Sequence, residues 1–179
     1  MKFRKWEDKQ RSLYGKILLI TGLRSLGIKS YSLKDLKYTK FLRPYFDGLV
    51  DFNISHSGEY TICAISETNK IGIDIEEIQD IPLFGFDSQF SKKEWGKVLQ
   101  AENRLQAFYT LWTQKEAFLK AIGTGLNLAL NEVVIRDNKI TWDDREWYLK
   151  EIKLDKRYVS HLATDITLPT ILIEKVEFF

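Results

Sequence analysis

The segment Ile71–Glu77 alternates apolar residues with glycine and acidic residues. A repeat of two residues predicts a β-strand, in which Asp74 and Glu76 lie on one face and the isoleucines lie on the other. Gly72 falls inside this strand, where glycine often marks the close approach of a backbone or a ligand. The sequence therefore predicts a strand that presents two carboxylates on the same face.

A long helical pattern follows, from about Glu102 to Ile122. In a helix, Glu116 and Lys120 lie one turn apart on the same face, so a carboxylate and an ammonium project together. The neighbouring apolar residues indicate that another face of this helix packs in a core: Phe108, Leu111, Phe118 and Leu119.

Three carboxylates and a lysine at these spacings suit a magnesium-bound pyrophosphate. Mg²⁺ takes oxygen ligands, commonly one or two carboxylates together with phosphate oxygens and water. The candidate ligands are Asp74, Glu76 and Glu116, and Lys120 is the candidate phosphate contact. Two simpler interpretations stay open. Acidic residues that alternate along a strand often form its solvated face, and a Glu/Lys pair one turn apart is often a surface pair that contributes about 0.2–0.5 kcal/mol.

A second candidate site lies just before this strand. Asp51–Ile54 predicts the end of another strand, and Ser55–Gly58 predicts a turn with exposed N–H groups and hydroxyls that suit an anion. His56 would meet a phosphate in that turn. The alternative, a histidine that is merely hydrogen-bonded within a tight turn, stays open. His161 is interpreted as an ordinary strand residue.

The remaining pattern predicts an α+β protein. One helix is predicted at about Asp8–Arg24, and another follows the capping box formed by Ser91 and Glu94, which gives Glu94 a structural role. Strands are predicted near residues 50–54, 60–66, 71–78, 132–136, 139–142, 147–154, 158–164 and 170–176, with a turn at Asp137-Asn138.

Five blocks of the chain resemble the 4′-phosphopantetheinyl transferases of the surfactin-synthetase-activating type. The two signature motifs of that family, roughly (I/V)-G-(I/V)-D-(I/L)-E and W-(S/T)-x-K-E-(A/S)-x-x-K, are met without mismatch at Ile71–Glu76 and Trp112–Lys120. Three further blocks occur in the family's order: Phe52–Gly58, Phe90–Glu94 and Gly123–Leu126.

The resemblance implies an activity. The phosphopantetheine arm of coenzyme A is transferred to a serine of an acyl or peptidyl carrier protein, and adenosine 3′,5′-bisphosphate is released. It implies that Asp74, Glu76 and Glu116 hold Mg²⁺ on the pyrophosphate and that Lys120 neutralises phosphate charge. Glu116 is also the family's candidate for activating the serine, although a metal-bound carboxylate is a weakened base.

The resemblance also implies where coenzyme A is held. Contacts to the 3′-phosphate are assigned to polar residues of the first part of the chain: Arg11 and His56, with Ser55 and Ser57 near by. Arg43-Pro44 resembles a turn that lies beside the adenine, although Leu42 stands where glycine is usual.

The family's fold implies two similar α/β halves related by a pseudo-twofold, here residues 1–71 and 72–179, with coenzyme A in the cleft between them. Family members usually carry a few dozen residues before the position of Arg11, whereas ten precede it here. We expect either that nearby basic residues compensate, namely Lys2, Arg4, Lys5 and Lys9, or that an abbreviated first half binds coenzyme A more weakly.

Composition excludes some classes of protein. The chain has one cysteine, Cys63, so a disulfide framework is excluded and a reducing compartment is indicated. There is no apolar stretch of about 18 residues, and no signal-peptide core follows the charged start, so we expect a soluble cytoplasmic protein, and a monomer.

The charge is unevenly distributed. Residues 1–40 carry eleven Lys and Arg against three Asp and Glu, which suits coenzyme A or an acidic carrier protein as partner. No nucleic-acid-binding motif is recognisable. Two other functions stay open. One is a coenzyme A or carrier-protein binding module of the same fold without turnover, and the other is a metal-dependent phosphoester enzyme or a hydrolase. The hydrolase is disfavoured because no G-x-S-x-G elbow surrounds Ser55 or Ser57.

Overall fold

Runs of strands and runs of helices follow one another along the chain, and the strands pair antiparallel, as in an α+β fold. The structure, a computed structural model, describes residues 6–167 and 170–177. Within them the helices and strands are α1 (Trp6–Ser25), β1 (Lys37–Tyr38), β2 (Pro44–Tyr45), β3 (Asp51–Ser57), β4 (Tyr60–Ser66), β5 (Ile71–Glu77), α2 (Lys92–Gln100), α3 (Arg104–Ile122), β6 (Ile135–Arg136), β7 (Lys139–Trp142), β8 (Arg145–Glu151) and β9 (Tyr158–Thr164). The predicted fold class is confirmed.

The larger sheet has five antiparallel strands in the order β5-β9-β8-β7-β6. Helix α3 packs across β5 and β9. Gly72 makes this packing possible, because a Cβ atom at that position would lie 2.1 Å from the Ala117 carbonyl oxygen and 2.3 Å from the Ala121 nitrogen. The close approach predicted at Gly72 is therefore an approach of the α3 backbone.

The first part of the chain forms a smaller layer. Helix α1 packs against the antiparallel hairpin of β3 and β4, around a core of Leu19, Leu23, Phe46 and Phe52. Cys63 packs against this core, and burial raises the pKa of its thiol to about 12. Since the thiolate is the reactive form, Cys63 acts as a small apolar side chain.

Strand β3 lies along the outer edge of β5 and binds it through side chains instead of a backbone ladder. Every second residue of β3 accepts a hydrogen bond from a backbone N–H of β5. The bonds run from Ile71 to Asp51 (2.9 Å), from Ile73 to Asn53 (2.9 Å), from Ile75 to Ser55 (3.4 Å) and from Glu77 to Ser57 (3.0 Å). This row of hydrogen bonds, called the seam below, joins the two layers. It also gives partners to backbone N–H groups at the edge of β5 that would otherwise have none.

A fully buried ion pair fixes α2 against α3. The Lys115 ammonium donates to Glu94 Oε2 at 2.9 Å and to the carbonyl oxygens of Leu130 and Val133 at 2.9 and 2.6 Å. All three of its donors are satisfied, as a buried charge requires. Glu94 also closes the capping box with Ser91 at the start of α2, which confirms its structural role.

Two predicted strands are corrected. In the segment 132–136 only Ile135 and Arg136 form a strand. The preceding residues form a short 3₁₀ turn, Leu130–Glu132, which directs backbone carbonyls to Lys115. Residues 170–177 form no strand: Leu172 and Ile173 are exposed there, and a β-favouring composition makes a strand only where a partner supplies hydrogen bonds.

The predicted turn at Asp137-Asn138 is confirmed, since both residues have positive φ, as a two-residue hairpin requires. The start and end of β8 differ from prediction by two or three residues. None of the described helices is long and apolar enough to cross a membrane. The pseudo-twofold relation and the boundary at residue 71 stay predictions.

Candidate active site

The predicted acidic residues and lysine meet where the seam approaches α3. Asp74 and Glu76 lie on the face of β5 that α3 covers, and Glu116 and Lys120 lie on α3 above them. The Lys120 ammonium is 2.6 Å from Asp74 Oδ1 and 2.8 Å from Ser55 Oγ. Asp74 of β5 and Lys120 of α3 are thus brought together, with Ser55 of β3 beside them.

Asp74 is the most deeply buried member of the group, with 3% of its surface exposed. Its Oδ1 accepts hydrogen bonds from Lys120 and from Ser55 Oγ at 3.0 Å. Its Oδ2 is buried and has no hydrogen-bond partner within the described part of the chain. Burial raises the pKa of Asp74, and the positive charge of Lys120 opposes that rise.

Glu116 faces the same cluster. Burial, reinforced by the negative charge of Asp74, raises the pKa of Glu116 to about 7. Its Oε1 is buried and lacks a hydrogen-bond partner among residues 6–167 and 170–177. Burial and the charge of Asp74 also raise the pKa of Glu76, whose Oε2 accepts a 2.8 Å hydrogen bond from Ser57. The three carboxylates therefore interact through their charges.

As the side chains stand, no three His, Cys, Asp or Glu residues of the described chain form a group that could hold a metal ion. The chemistry nevertheless suits a divalent cation. Among the described residues, Lys120 is the cation that partly offsets the raised pKa of all three carboxyls, and two carboxylate oxygens are buried without a donor. Such oxygens are stabilised by a metal or by protonation. The predicted ligand set of Asp74, Glu76 and Glu116 therefore stays a proposal.

The predicted turn at Ser55–Gly58 is wrong, because β3 continues through Ser57. Ser55 and Ser57 instead point at β5, where their hydroxyls bind backbone N–H groups and the carboxylates of Asp74 and Glu76. His56 points to the other face and is exposed. The structure therefore separates Ser55 from His56, although the sequence analysis placed both at the 3′-phosphate.

Arg11 reaches the same end of β3. Its guanidinium donates to the Gly58 carbonyl oxygen at 3.2 Å, in the turn just beyond His56. The predicted pairing of Arg11 with His56 is thus compatible with their positions. The predicted contribution of Lys2, Arg4, Lys5 and the side chain of Lys9 lies outside the described part of the chain.

Arg43 is more enclosed than its predicted place beside an adenine suggests. Its buried guanidinium binds Asp51 at 2.9 Å and the carbonyl oxygens of Lys120 and Ile71 at 2.9 and 3.1 Å. It therefore ties β3, β5 and α3 together. Pro44 follows on β2 and is half-buried, and its predicted adenine contact stays a prediction. Leu42 has φ 64°, a conformation that favours glycine, which explains the glycine usual at this position.

The sequence analysis missed the role of Ser55 on Asp74. The available signal was the alternation of Asp51, Asn53, Ser55 and Ser57, which predicts one polar strand face. It assigned His161 correctly to a strand, directly opposite Asp74 on β9. Burial lowers the pKa of His161 to about 4, and its Nδ1 lies 2.8 Å from Thr113 Oγ1, so the ring is neutral and structural.

Comparison with known proteins identifies the family. The sequence model of the 4′-phosphopantetheinyl transferase superfamily matches residues 70–168, which contain Asp74, Glu76, Glu116 and Lys120. The chain belongs to the 4′-phosphopantetheinyl transferase superfamily. The resemblance noted in the sequence is therefore confirmed.

Two relatives match a longer part of this superfamily member than the family model does. It is 35% identical over 136 residues to the 4′-phosphopantetheinyl transferase gsp of Aneurinibacillus migulanus, covering 74% of this chain and 56% of the relative. It is 38% identical over 138 residues to the 4′-phosphopantetheinyl transferase Sfp of Bacillus subtilis, covering 73% and 59%. The chain thus spans somewhat more than half the length of these relatives.

A solved structure is also similar. The holo-[acyl-carrier-protein] synthase of Thermotoga maritima aligns with 53% of this phosphopantetheinyl transferase superfamily member and 61% of its own chain, at 23% identity and a TM-score of 0.44. That likeness is too distant to bear on the arrangement of the site.

The raised pKa of Glu116 gives a test on the metal-free protein. A carboxyl whose pKa is higher in the folded than in the unfolded state stabilises the fold at low pH, and this contribution is lost as pH rises. For Glu116 the loss runs from the ordinary value of 4.5 to about 7. We expect Glu116→Gln in this superfamily member to be more stable than the wild type by roughly 2 kcal/mol at pH 8, after allowance for partial solvent access, and to differ little at pH 4.5.

The measurement is urea denaturation with a chelator at both pH values. His161 titrates in the opposite sense, since its pKa is lowered, but it is present in both proteins and its effect cancels. A stability difference that is the same at both pH values would contradict the assignment.

Proposed function

We propose that this protein transfers the 4′-phosphopantetheine group of coenzyme A to a serine hydroxyl of an acyl or peptidyl carrier protein. Membership of the superfamily supports this reaction. The observation that carries it is the convergence of Asp74, Glu116 and Lys120 on one buried site between β5 and α3. A site that neutralises and positions a pyrophosphate needs such groups.

In the proposed reaction the serine oxygen attacks the phosphorus that carries the pantetheine arm. A new phosphoester bond to the serine forms, and the bond from that phosphorus to the bridging oxygen of the pyrophosphate breaks. The leaving group is adenosine 3′,5′-bisphosphate, which departs with the electron pair of the broken bond. Both the attacking hydroxyl and the leaving phosphate require groups from the protein that manage a proton and negative charge.

We assign the proton of the serine to Glu116. Burial and Asp74 raise the pKa of Glu116 to about 7, which suits a group that accepts a proton near neutral pH. Lys120 stabilises the charge that develops on the leaving phosphate. Asp74, Glu76 and Glu116 would hold Mg²⁺, which when bound supplies charge neutralisation on the pyrophosphate oxygens. A carboxylate that also ligates the metal is a weaker base, so the two roles of Glu116 oppose each other.

Coenzyme A fits the first part of the chain by charge. Arg11 binds the Gly58 carbonyl oxygen, two residues beyond His56, and we propose that Arg11 and His56 bind the 3′-phosphate of coenzyme A. Arg43 and Pro44 are proposed to border the adenine. The cofactor would then lie between two units, residues 1–71 and 72–179, and reach the carboxylates across the seam. We propose that the protein acts as a monomer in the cytoplasm.

Arg11 and His56 give a test of this placement. We expect Arg11→Ala or His56→Ala to raise the KM for coenzyme A by about 10-fold or more, because a charged hydrogen bond to phosphate is lost. The KM for 3′-dephospho-coenzyme A should change by less than about 2-fold, since that substrate lacks the phosphate. Steady-state kinetics with both substrates makes the measurement, and Arg24→Ala on the exposed end of α1 is the matched control. Equal effects on both substrates would remove these residues from the 3′-phosphate.

The proposed function is tested by mass spectrometry of the carrier. The protein is incubated with coenzyme A, Mg²⁺ and an apo carrier protein of either the acyl or the peptidyl type. The expected product is the carrier increased by one phosphopantetheine group, and the product should be absent with a chelator or when the acceptor serine is alanine. Failure to modify either type of carrier would contradict the proposal and would favour a binding module without turnover.

A further inference from the structure

Lys120 makes contacts that its proposed role at a phosphate does not require. Its ammonium lies 2.6 Å from Asp74 Oδ1 and 2.8 Å from Ser55 Oγ, and Ser55 Oγ itself donates to the same Asp74 oxygen at 3.0 Å. These three groups form a closed triangle of hydrogen bonds. In this arrangement the Lys120 ammonium is bound to side chains of the strands beneath α3.

The triangle includes only one oxygen of the three carboxylates. Asp74 Oδ2 and Glu116 Oε1 are both buried, and neither has a hydrogen-bond partner among the residues that the structure describes. Lys120 lowers the pKa of Glu116, whereas Asp74 and Glu76 raise it. Among the described residues, Lys120 is the cation that lowers the pKa of all three carboxyls, so one ammonium serves three carboxylates.

We propose that Lys120 is the counter-cation of this site when no divalent ion is bound, and that a divalent cation must displace its ammonium from Asp74 in order to bind. The inference rests on the proposed function, because it assumes that Asp74 is a ligand. It explains why the acidic residues converge without forming a ligand group as they stand. The lysine holds one of the two Asp74 oxygens, and its positive charge at that position repels a second cation.

The displaced ammonium must then find another anion. Lysine carries a compact charge on a flexible four-carbon stem, so Nζ can move while its Cα stays on α3. The pyrophosphate of coenzyme A supplies the new partner. The coenzyme stabilises the displaced position of Lys120, and the bound cation keeps Lys120 in that position. Each of the two therefore binds more tightly when the other is bound.

The experiment measures binding of Mg²⁺ alone, without carrier protein. Lys120→Met keeps the side chain out to Cε and removes the charged ammonium. We expect Lys120→Met to bind Mg²⁺ about 10-fold or more tightly than the wild type by calorimetry, because no ammonium competes for Asp74. Coenzyme A should tighten Mg²⁺ binding in the wild type, and in Lys120→Met this tightening should be reduced by about 10-fold or more.

Lys70→Met is the control for loss of a positive charge near the seam. Lys70 Nζ lies 3.9 Å from Asp51 and is mostly exposed. If Lys70→Met tightens Mg²⁺ binding as much as Lys120→Met, the effect is one of general charge, and the proposal is overturned. Equal Mg²⁺ affinity in Lys120→Met and the wild type would also overturn it.

A second readout covers the case in which Lys120→Met is unstable without metal. Its melting temperature with a chelator should fall below that of the wild type, because Asp74 loses its counter-charge. In Asp74→Asn/Lys120→Met the buried charge is gone, so the double variant should recover most of the lost melting temperature. A double variant no more stable than Lys120→Met would overturn the proposal.

These measurements separate the inference from the proposed function. A protein that modifies carriers, but whose Lys120→Met variant binds Mg²⁺ like the wild type, would contradict the inference alone. Conversely, a protein that shows the expected change in Mg²⁺ affinity but modifies no carrier would contradict the transferase alone.

Discussion

We expect Asp74→Ala to slow transfer to a carrier protein on the order of 10³-fold or more while the protein stays folded. Asp74 is the centre of the site, because its carboxylate binds Lys120 and Ser55 and its second oxygen is buried without a donor among the described residues. Alanine removes a candidate metal ligand and the partner of Lys120 in one step. It also removes a buried charge whose ionised form is disfavoured by burial, so the fold should tolerate the change.

The measurement is a time course of carrier modification at saturating coenzyme A, with circular dichroism to verify the fold. Glu77→Ala is the matched control. Glu77 is the last residue of the same strand, but its side chain lies on the face opposite to Asp74 and Glu76. It should keep most of the activity. Near-normal turnover in Asp74→Ala would contradict the assignment of the site, and equal losses in both variants would indicate a general effect on the strand.

The second large effect is expected at Gly72. Alanine at this position would place Cβ 2.1 Å from the Ala117 carbonyl oxygen, 2.3 Å from the Ala121 nitrogen and 2.9 Å from the Ala121 Cα. All three are backbone atoms of α3, so no side-chain rotation relieves the overlap and the helix must move away from β5. We expect Gly72→Ala to cost about 3 kcal/mol or more in the free energy of unfolding.

The same displacement moves Glu116 and Lys120, which lie on α3, away from Asp74. Transfer should therefore fall by about 10²-fold even at a temperature where the variant is folded. Gly96→Ala is the control, because Gly96 lies within α2 and a Cβ there would meet nothing within 4 Å. Alanine in a helix is preferred to glycine, so this variant should be stabilised by about 0.5–1 kcal/mol. Denaturant unfolding of both variants decides the matter, and a Gly72→Ala protein as stable as Gly96→Ala would contradict the packing described for α3.

The sequence predicts best the elements whose pattern of buried residues repeats within a single segment. The two-residue alternation of Ile71–Glu77 and the helical spacing of Glu116 and Lys120 each follow from one segment alone. Once both elements are assigned, the resemblance to a family pairs them, and the structure brings Asp74 within hydrogen-bond distance of Lys120.

Features that depend on a distant partner were missed or misassigned. Ser55 was assigned to a turn because serine and glycine favour turns, whereas its hydroxyl is bound by β5, 19 and 20 residues further on. Lys115 precedes Glu116 in the motif, but its ammonium forms an ion pair with Glu94 in the core. The segment 170–176 has strand composition, and only a hydrogen-bonding partner turns composition into a strand. Local pattern does not identify the distant partner in any of these cases.

The seam between β3 and β5 determines what separation of the two layers would require. Each of its bonds has a side chain at one end, contributed by Asp51, Asn53, Ser55 or Ser57. Separating the two layers would therefore require rotation of these four side chains and release of the Arg43 guanidinium, while every backbone ladder stays intact. Such a separation would also break the hydrogen bond between Ser55 and Asp74.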